Sequence, residues 1–301
     1  MVAWNSVSLP TMSPEASKQL LREVQLLHNL KHKNVLELRG AFVKDGKNDI
    51  VFLTEILEGS LKQYIGRAGI PIRWVVVKKW MTDILRGLEF LHSQEPPIIH
   101  RDIKADNLLL DKSRGHVCIG DLGLARPKQE GDKQNMTFAG TPSFMAPEML
   151  EGGTYDTKVD IYATGMVLIE ILTQRYPYDN LPSAAHVYKA VCEGKEPSEM
   201  EHIINEDARG FINTCRTMKP EDRPTATILL ESNPFITTKG ASYDQEEVPM
   251  SEYLRKREVA VSAETVAKEP PIPTFEPPPP PPPPPPAAAQ SAGNSGEVAE
   301  G

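Results

Sequence analysis

The sequence predicts an α+β fold of two lobes, with a small sheet and one helix on the N-terminal side and a larger, mainly helical region after it. Three observations support this fold class. Strand patterns fall within residues 1–57, helical patterns dominate residues 58–236, and 14 of the 28 prolines lie in residues 237–301. We therefore expect two lobes that meet near residue 57, followed by a tail that begins at residue 237.

The N-terminal lobe is expected to contain three strands and one helix. Residues 2–9 alternate apolar and polar side chains, the pattern of a half-buried strand. Ser13 and Pro14 form a helix start, and apolar residues at spacings of three and four predict a helix that runs to about Leu30. Strands at residues 35–43 and 50–56 flank an Asp-Gly turn, which indicates a hairpin.

The C-terminal lobe is expected to be built on two long helices. Residues 71–92 are amphipathic, and residues 160–173 are apolar on nearly every side, as in a helix at the centre of a domain. Weaker helical patterns follow at residues 184–192, 206–217 and 226–231. Residues 96–148 are irregular, and so long a connection inside a compact domain is typical of a functional segment.

Charge and cysteine content exclude several classes of function. Of the net charge of −8, residues 237–301 carry 5 basic against 10 acidic residues and the rest of the chain 28 against 31, so neither nucleic acid nor an anionic membrane is an expected partner. Cys118, Cys192 and Cys215 fit neither a disulfide framework nor a zinc site. No apolar run reaches the roughly 18 residues of a membrane span, and no signal peptide opens the chain. We predict a cytoplasmic protein with reduced thiols.

Three motifs stand in order within the irregular stretch. They are His100-Arg101-Asp102-Ile103-Lys104-Ala105-Asp106-Asn107, then Asp121-Leu122-Gly123, then Ala146-Pro147-Glu148. Each residue alone would be an ordinary turn residue, but the ordered set resembles the catalytic loop and the flanking motifs of protein kinases. No G-x-S-x-G elbow, His-Glu-x-x-His motif or Gly-rich dinucleotide fingerprint competes with this interpretation.

The resemblance implies a fold and a chemistry. It implies a bilobal kinase fold, ATP and Mg²⁺ as cofactors, and transfer of the γ-phosphate of ATP to Ser or Thr hydroxyls of protein substrates. Asp102 would orient the acceptor hydroxyl, Asn107 and Asp121 would hold Mg²⁺, and Lys104 would contact the γ-phosphate. Lys104 and Thr141 are typical of kinases directed to serine and threonine rather than tyrosine.

The same resemblance implies an adenine site and a set of supporting residues. The adenine site would consist of Ala3, the gatekeeper Thr54, the hinge residues Glu55 and Leu57, and Leu109. The supporting and regulatory positions would be Glu23, His100, Arg101, Gly123, Thr137, Thr141, Glu148, Asp160 and Arg223. Glu148 would pair with Arg223, and Asp160 would brace the catalytic loop.

Two of these supporting roles have simpler alternatives. Glu23 would be the helix-C glutamate, and the alternative is a solvated acid on a helix face. Thr137 would be the phosphorylation site of the activation segment, with Arg101 in the pocket that receives the phosphate. The alternative for Thr137 is an exposed threonine without that role.

Residues 2–5 read Val-Ala-Trp-Asn, where an ordinary kinase strand reads Val-Ala-Ile-Lys. With Asp-Leu-Gly-Leu at residues 121–124 and Phe-Met-Ala-Pro-Glu at residues 144–148, the chain resembles the with-no-lysine (WNK) kinases of plant and protist type. Inhibition by chloride is implied by Leu122 and Leu124. Leu38, Ala105 and Ser143 depart from the pattern that the family often shows, and Leu38 bears on the chloride sensitivity.

In that family the substitute lysine comes from the Gly-rich loop, which precedes the first strand seen in this sequence. We favour a gene model truncated at its 5′ end as the explanation, because every downstream catalytic residue is present. The alternative is a short form that acts as a catalytically impaired pseudokinase or scaffold. On either explanation we expect an incomplete sheet with an unpaired edge at residues 2–9, and weak or no ATP binding by the 301-residue form.

The tail is acidic and rich in proline, a composition typical of disorder. Ten consecutive prolines from Pro277 to Pro286 predict a polyproline II rod of about 31 Å. Such a rod suits the aromatic grooves of profilin, SH3 or WW partners, and it equally suits a spacer.

Overall fold

The structure of the chain is a computed structural model, and it describes residues 2–8, 28–44, 49–66, 72–111, 115–121, 126–127 and 141–248. The described residues all belong to one compact unit within Met1–Glu258, and residues 249–301 lie outside the described residues. Most of the predicted helix that ends near Leu30 also lies outside them. Among the described residues, none of the helices combines the length and the hydropathy of a membrane span.

The N-terminal lobe contains an antiparallel sheet whose described strands are β1 (Ala3–Ser8), β2 (Leu38–Lys44) and β3 (Asp49–Thr54). Their order is β1-β3-β2, so β3 is hydrogen-bonded on both sides. Thr54, the last residue of β3, lies opposite Ala3 on one side and Leu38 on the other. The sequence predicted all three strands, with ends that differ from the observed ones by one to three residues.

A hairpin in the C-terminal lobe links the two lobes. Its strands are β5 (Leu108–Asp111) and β6 (His116–Ile119), which pair antiparallel. The Ile119 N–H donates to the Asn34 carbonyl (2.9 Å), and the Leu36 N–H donates to the Ile119 carbonyl (2.8 Å). Asn34 is fully buried and also donates its side-chain amide to the Val117 carbonyl (2.9 Å). Residues 34–36 are therefore fixed to the strand that leads into Asp121.

The C-terminal lobe is mainly helical. Its α-helices are α1 (Leu61–Ile65), α2 (Trp74–His92), α3 (Pro147–Leu150), α4 (Lys158–Thr173), α5 (Ala184–Cys192), α6 (Glu206–Cys215), α7 (Ala226–Ser232) and α8 (Pro234–Thr237). Every residue of α4 from Val159 to Thr173 is buried, which confirms the prediction of a helix at the domain centre. Gly165 allows α6 to approach closely, because a Cβ at this position would lie 2.7 Å from the Cys215 Cβ.

The stretch that was irregular in sequence contains short regular elements. The strands β4 (Ile98–Ile99) and β7 (Arg126–Pro127) pair with each other, and the hairpin of β5 and β6 lies between them in the chain. These strands have only two to four residues each. Such lengths are too short to show a period in sequence, which explains why the pattern did not predict them.

The predicted tail boundary at residue 237 is wrong in one respect, because residues 238–248 pack against the start of α2. The N-cap residue Arg73 makes no side-chain hydrogen bond to the helix. Instead, the Trp74 N–H donates to the Glu246 carbonyl (3.1 Å) and the Val75 N–H to the Asp244 carbonyl (3.0 Å). The C-terminal segment thus satisfies two of the backbone donors that a helix start leaves open.

A buried ion pair fastens this segment to α2. The Lys78 Nζ lies 2.6 Å from the Asp244 Oδ1 and 3.2 Å from the Thr238 carbonyl, and both charged side chains are buried. The Tyr243 ring packs edge-on against Trp74 at 5.8 Å and lies under the Lys78 ammonium. Residues 238–248 are therefore part of the folded lobe.

Replacement of Asp244 by alanine tests this attachment. Asp244→Ala leaves the Lys78 ammonium buried with only one carbonyl partner, and we expect a loss of about 3 kcal/mol in the free energy of unfolding. Urea denaturation measures it. The matched control is Asp179→Ala, which breaks an exposed pair with Arg175 and should cost less than about 1 kcal/mol. Equal losses in the two variants would contradict the packed segment.

Candidate active site

The catalytic loop, residues 100–107, connects β4 to β5 and ends in a 3₁₀ turn at Ala105–Asn107. His100 is fully buried, and its Nε2 lies 2.8 Å from the Gly120 carbonyl oxygen. Arg101 has a φ of 71°, in the left-handed region that non-glycine residues rarely adopt. A conformation of this kind persists only where its surroundings enforce it.

Asp160, in the first turn of α4, provides that enforcement. Its Oδ2 accepts the His100 N–H (2.9 Å) and its Oδ1 accepts the Arg101 N–H (2.8 Å). The His92 Nε2 lies 2.9 Å from the same Oδ2. Burial acts to raise the pKa of Asp160, but the hydrogen bond from His92, the charges of His92 and His100 and the His100 N–H outweigh it, so the pKa lies below its usual value.

Asp102 is held by two neighbours in the loop. The Lys104 Nζ lies 3.0 and 2.8 Å from the two carboxylate oxygens. The Asn107 Nδ2 donates to the Asp102 carbonyl and to its Oδ2, both at 2.8 Å. The Asp102 side chain retains 14% of its exposure, so the oriented carboxylate can still reach a substrate.

Asp121 follows β6 and is brought to this loop by Gly120. The Gly120 N–H donates to the Asn107 carbonyl (2.8 Å), while its own carbonyl faces His100. A Cβ at Gly120 would lie 2.8 Å from the Leu109 Cδ1, so a larger residue would push the two strands apart. Asp121 itself is exposed, with a φ of 49°.

The side-chain oxygens of Asn107 and Asp121 are suitable ligands for Mg²⁺. Both bonds from the Asn107 Nδ2 go to Asp102, which leaves the amide oxygen for a cation, and Asp121 offers an exposed carboxylate. Among the described residues there is no group of three or more His, Cys, Asp or Glu side chains that could hold a metal. Two oxygen ligands are what Mg²⁺ takes from a protein when phosphates and water complete its shell.

The predicted adenine residues lie where the sheet joins the helical lobe. After Thr54 the chain leaves β3, and the Glu55 Oε1 accepts the Glu37 N–H at 3.4 Å. The Glu58 N–H donates to the Leu110 carbonyl (3.1 Å), and the Leu110 N–H donates to the Gly59 carbonyl (2.9 Å). These bonds attach the segment that contains Leu57 to β5, which contains Leu109, while the β1 residue Ala3 lies opposite Thr54.

Glu148 and Arg223, predicted as partners, form a bidentate ion pair. The Arg223 Nη1 lies 2.7 Å from the Glu148 Oε1, and the Nη2 lies 3.3 Å from the Oε2. The Arg223 side chain is fully buried and also donates to the carbonyls of Thr217 and Lys158. Thr141 lies directly before a 3₁₀ turn, where its carbonyl accepts the Phe144 N–H. The predicted residues Glu23, Gly123 and Thr137, and also Leu122 and Leu124, lie outside the described residues.

Three residues of this network, His92, Glu170 and Lys62, were missed from sequence. His92 contacts Asp160 from the end of α2. Glu170 lies in the middle of α4, where its fully buried carboxylate accepts the Ala105 N–H (3.3 Å) and the Lys62 ammonium (2.5 Å). An acid between Ile169 and Ile171, in the apolar middle of α4, was the available signal for Glu170, because buried charges require partners. His92 gave no comparable signal.

A small sheet, a hinge, a helical lobe and a His-Arg-Asp loop beside an exposed aspartate define the class of protein kinases. The protein kinase domain family matches residues 1–236, and the chain belongs to that family. It is 41% identical over 237 residues to the probable serine/threonine-protein kinase WNK9 of Oryza sativa subsp. japonica (77% of this chain, 55% of that protein). It is 38% identical over 242 residues to the serine/threonine-protein kinase WNK8 of Arabidopsis thaliana (79% and 42%).

A fungal protein shows a similar level of identity. The serine/threonine-protein kinase pkpA of Phycomyces blakesleeanus is 38% identical over 229 residues, which are 75% of this chain and 36% of that protein. The matched region thus spans about half of the curated relatives or less. The resemblance to with-no-lysine kinases, predicted from residues 2–5 and the later motifs, is confirmed by these relatives.

The low pKa of Asp160 gives a pH dependence with a defined sign. The stabilisation is fully present above the unfolded pKa, about 3.8, and is lost as the pH falls through the lower folded value. We expect Asp160→Asn to lower the free energy of unfolding by about 2–3 kcal/mol at both pH 7 and pH 5, with a smaller difference below pH 3.8. Urea unfolding at each pH measures it, with exposed Asp222→Asn as the control. A constant difference at every pH would contradict the account.

Proposed function

We propose that the protein containing this chain is a serine/threonine protein kinase of the with-no-lysine type. The observation that carries the proposal is the state of Asp102, whose carboxylate is oriented by Lys104 and Asn107 and is still accessible. An acceptor hydroxyl placed on this carboxylate would be aligned for attack and would have a base for its proton. The motifs and the kinase relatives support ATP as the phosphate donor.

In the proposed reaction the acceptor oxygen forms a bond to the γ-phosphorus as the bond from that phosphorus to the β,γ-bridging oxygen breaks. The hydroxyl proton moves to the Asp102 carboxylate, and ADP leaves. Lys104, which lies on both carboxylate oxygens, supplies a cation beside the transferred group. Mg²⁺ held by Asn107 and Asp121 would neutralise phosphate charge when bound.

Several finer proposals rest on sequence alone. We propose that the prolines from Pro277 to Pro286 dock on a profilin, SH3 or WW partner, and that chloride regulates the site through Leu122 and Leu124. A cytoplasmic location stays a prediction from the cysteine pattern and from a sequence without an apolar run of membrane-span length or a signal-peptide pattern. All of these residues except the cysteines lie outside the described residues. Neither proposal changes the role of Asp102.

The test of catalysis removes the carboxylate while keeping the shape of the loop. Asp102→Asn should lower phosphate transfer to a generic serine/threonine substrate by at least about 100-fold, because the amide cannot take the hydroxyl proton. The assay follows radiolabel from ATP with magnesium, in the protein expressed from its whole reading frame.

Asp222→Asn, which changes an exposed carboxylate in the same lobe, is the control and should keep full activity. Calorimetry should show that Asp102→Asn still binds ATP with magnesium. Equal rates of phosphate transfer by Asp102→Asn and the unchanged protein would contradict the proposed mechanism. Nucleotide binding without any transfer by the unchanged protein would instead support the scaffold alternative.

A further inference from the structure

The short helix α1 connects the hinge to the centre of the C-terminal lobe. Its start is fixed by a capping box, in which the Ser60 side chain accepts the Gln63 N–H and the Gln63 side chain accepts the Ser60 N–H. Lys62 lies in this first turn, and its Nζ is 2.5 Å from the Glu170 Oε1. The lysine retains 27% of its side-chain exposure, while Glu170 has none.

Glu170 touches the catalytic loop with its other carboxylate oxygen. Its Oε2 accepts the Ala105 N–H at 3.3 Å. Ala105 lies directly after Lys104 and is the first residue of the 3₁₀ turn that ends at Asn107. Lys104 and Asn107, on either side of Ala105, are the residues that hold the Asp102 carboxylate. Helix α4 therefore binds the loop on both sides of Asp102. Asp160 accepts the Arg101 N–H, and Glu170 accepts the Ala105 N–H.

Tyr176 completes the surroundings of this pair. The Lys62 ammonium lies 3.8 Å from the centre of the Tyr176 ring, a cation–π contact. The Tyr176 hydroxyl donates to the Asp106 Oδ2 at 3.2 Å. Burial, followed by the charges of Asp106 and Glu170, raises the pKa of Tyr176 to about 12, so the hydroxyl keeps its proton and remains a donor.

Lys62 is the cation that offsets the effect of burial on the pKa of Glu170. Burial raises the pKa of Glu170, and the charge of Asp106 adds to the increase. The hydrogen bond and the charge of Lys62, together with the hydrogen bond from the Ala105 N–H, lower it. A buried carboxylate that loses its cation must take up a proton, turn towards water or admit water. Each of these changes would weaken its contact with Ala105.

We propose that Lys62 and Glu170 are a positioning pair that fixes the Ala105 peptide and so couples the hinge-side helix α1 to the catalytic loop. The proposal rests on the proposed function only in that the group held in place is Asp102. Lys62 and Glu170 touch neither acceptor nor phosphate in this account. Their effect reaches Asp102 through the positions of Lys104 and Asn107.

The test begins with Lys62→Met, which keeps the length of the side chain and removes its charge at a partly exposed site. We expect hydrogen–deuterium exchange at the Ala105 amide, measured by NMR without nucleotide, to accelerate about tenfold because its acceptor is no longer held. We also expect kcat to fall about tenfold while the KM for ATP stays unchanged. The exchange measurement decides the proposal even if the protein transfers no phosphate.

A rescue variant separates this role from general stability. In Lys62→Met/Glu170→Gln the buried residue is neutral and its amide oxygen can still accept the Ala105 N–H, so both exchange and kcat should return to within about threefold of the unchanged protein. Lys189→Met, which removes a lysine from an exposed ion pair on α5, is the matched control and should change neither quantity.

Two results would overturn the proposal. The first is unchanged Ala105 exchange in Lys62→Met, which would show that the lysine does not hold the peptide. The second is faster exchange that the double variant fails to reverse, which would show that Lys62 acts without Glu170. A change in melting temperature alone, with exchange and kcat unaltered, would assign the pair a structural role and also count against positioning.

Discussion

The buried carboxylate of Asp160 is the constraint on which the described site depends. A charge in the interior needs donors, and here two of them are the backbone N–H groups of His100 and Arg101. To present both groups to one carboxylate the chain must turn sharply, and Arg101 adopts the left-handed conformation. That turn sets the path of the chain into Asp102. The backbone strain at Arg101 is thus compensated by hydrogen bonds whose acceptor lies on the most deeply buried helix of the lobe.

Much of this arrangement could be predicted from the sequence, and the limits have physical causes. Asp102 and Asn107 lie within one short motif, so their relation follows from local geometry, and the all-round apolar pattern of α4 indicates burial directly. His92 and Asp160 are 68 residues apart, and nothing in a single sequence couples them. The cap on α2 is harder still, since the acceptors at Asp244 and Glu246 are backbone carbonyls, which every residue possesses.

Among the described residues, three ion pairs of Lys or Arg join segments that are distant in sequence: Lys62 with Glu170, Lys78 with Asp244, and Arg223 with Glu148. Each has at least one partner that is fully or almost fully buried. The cost of removing such charges from water roughly cancels their attraction, so a whole pair adds little stability compared with an apolar pair of similar volume, although the removal of one partner alone is costly. Because an unpaired buried charge is costly, each pair favours the fold in which both partners are present. In this lobe they hold Ala105 in the catalytic loop, Glu148 at the start of α3, and residues 238–248.

Two parts of the proposed chemistry, the orientation of Asp102 and the binding of the nucleotide phosphates, depend on different residues. Among the described residues, the side chains that orient Asp102 and Asn107 come from the catalytic loop itself, and those that anchor the loop come from α1, α2 and α4. Position 5, where most kinases carry lysine, lies in β1 opposite Phe52 and belongs to the other lobe. The described contacts that orient the Asp102 carboxylate are made by Lys104 and Asn107, which belong to the C-terminal lobe. Loss of the lysine at position 5 bears on how the nucleotide phosphates are held, and a substitute cation can arise elsewhere without any change in the catalytic loop.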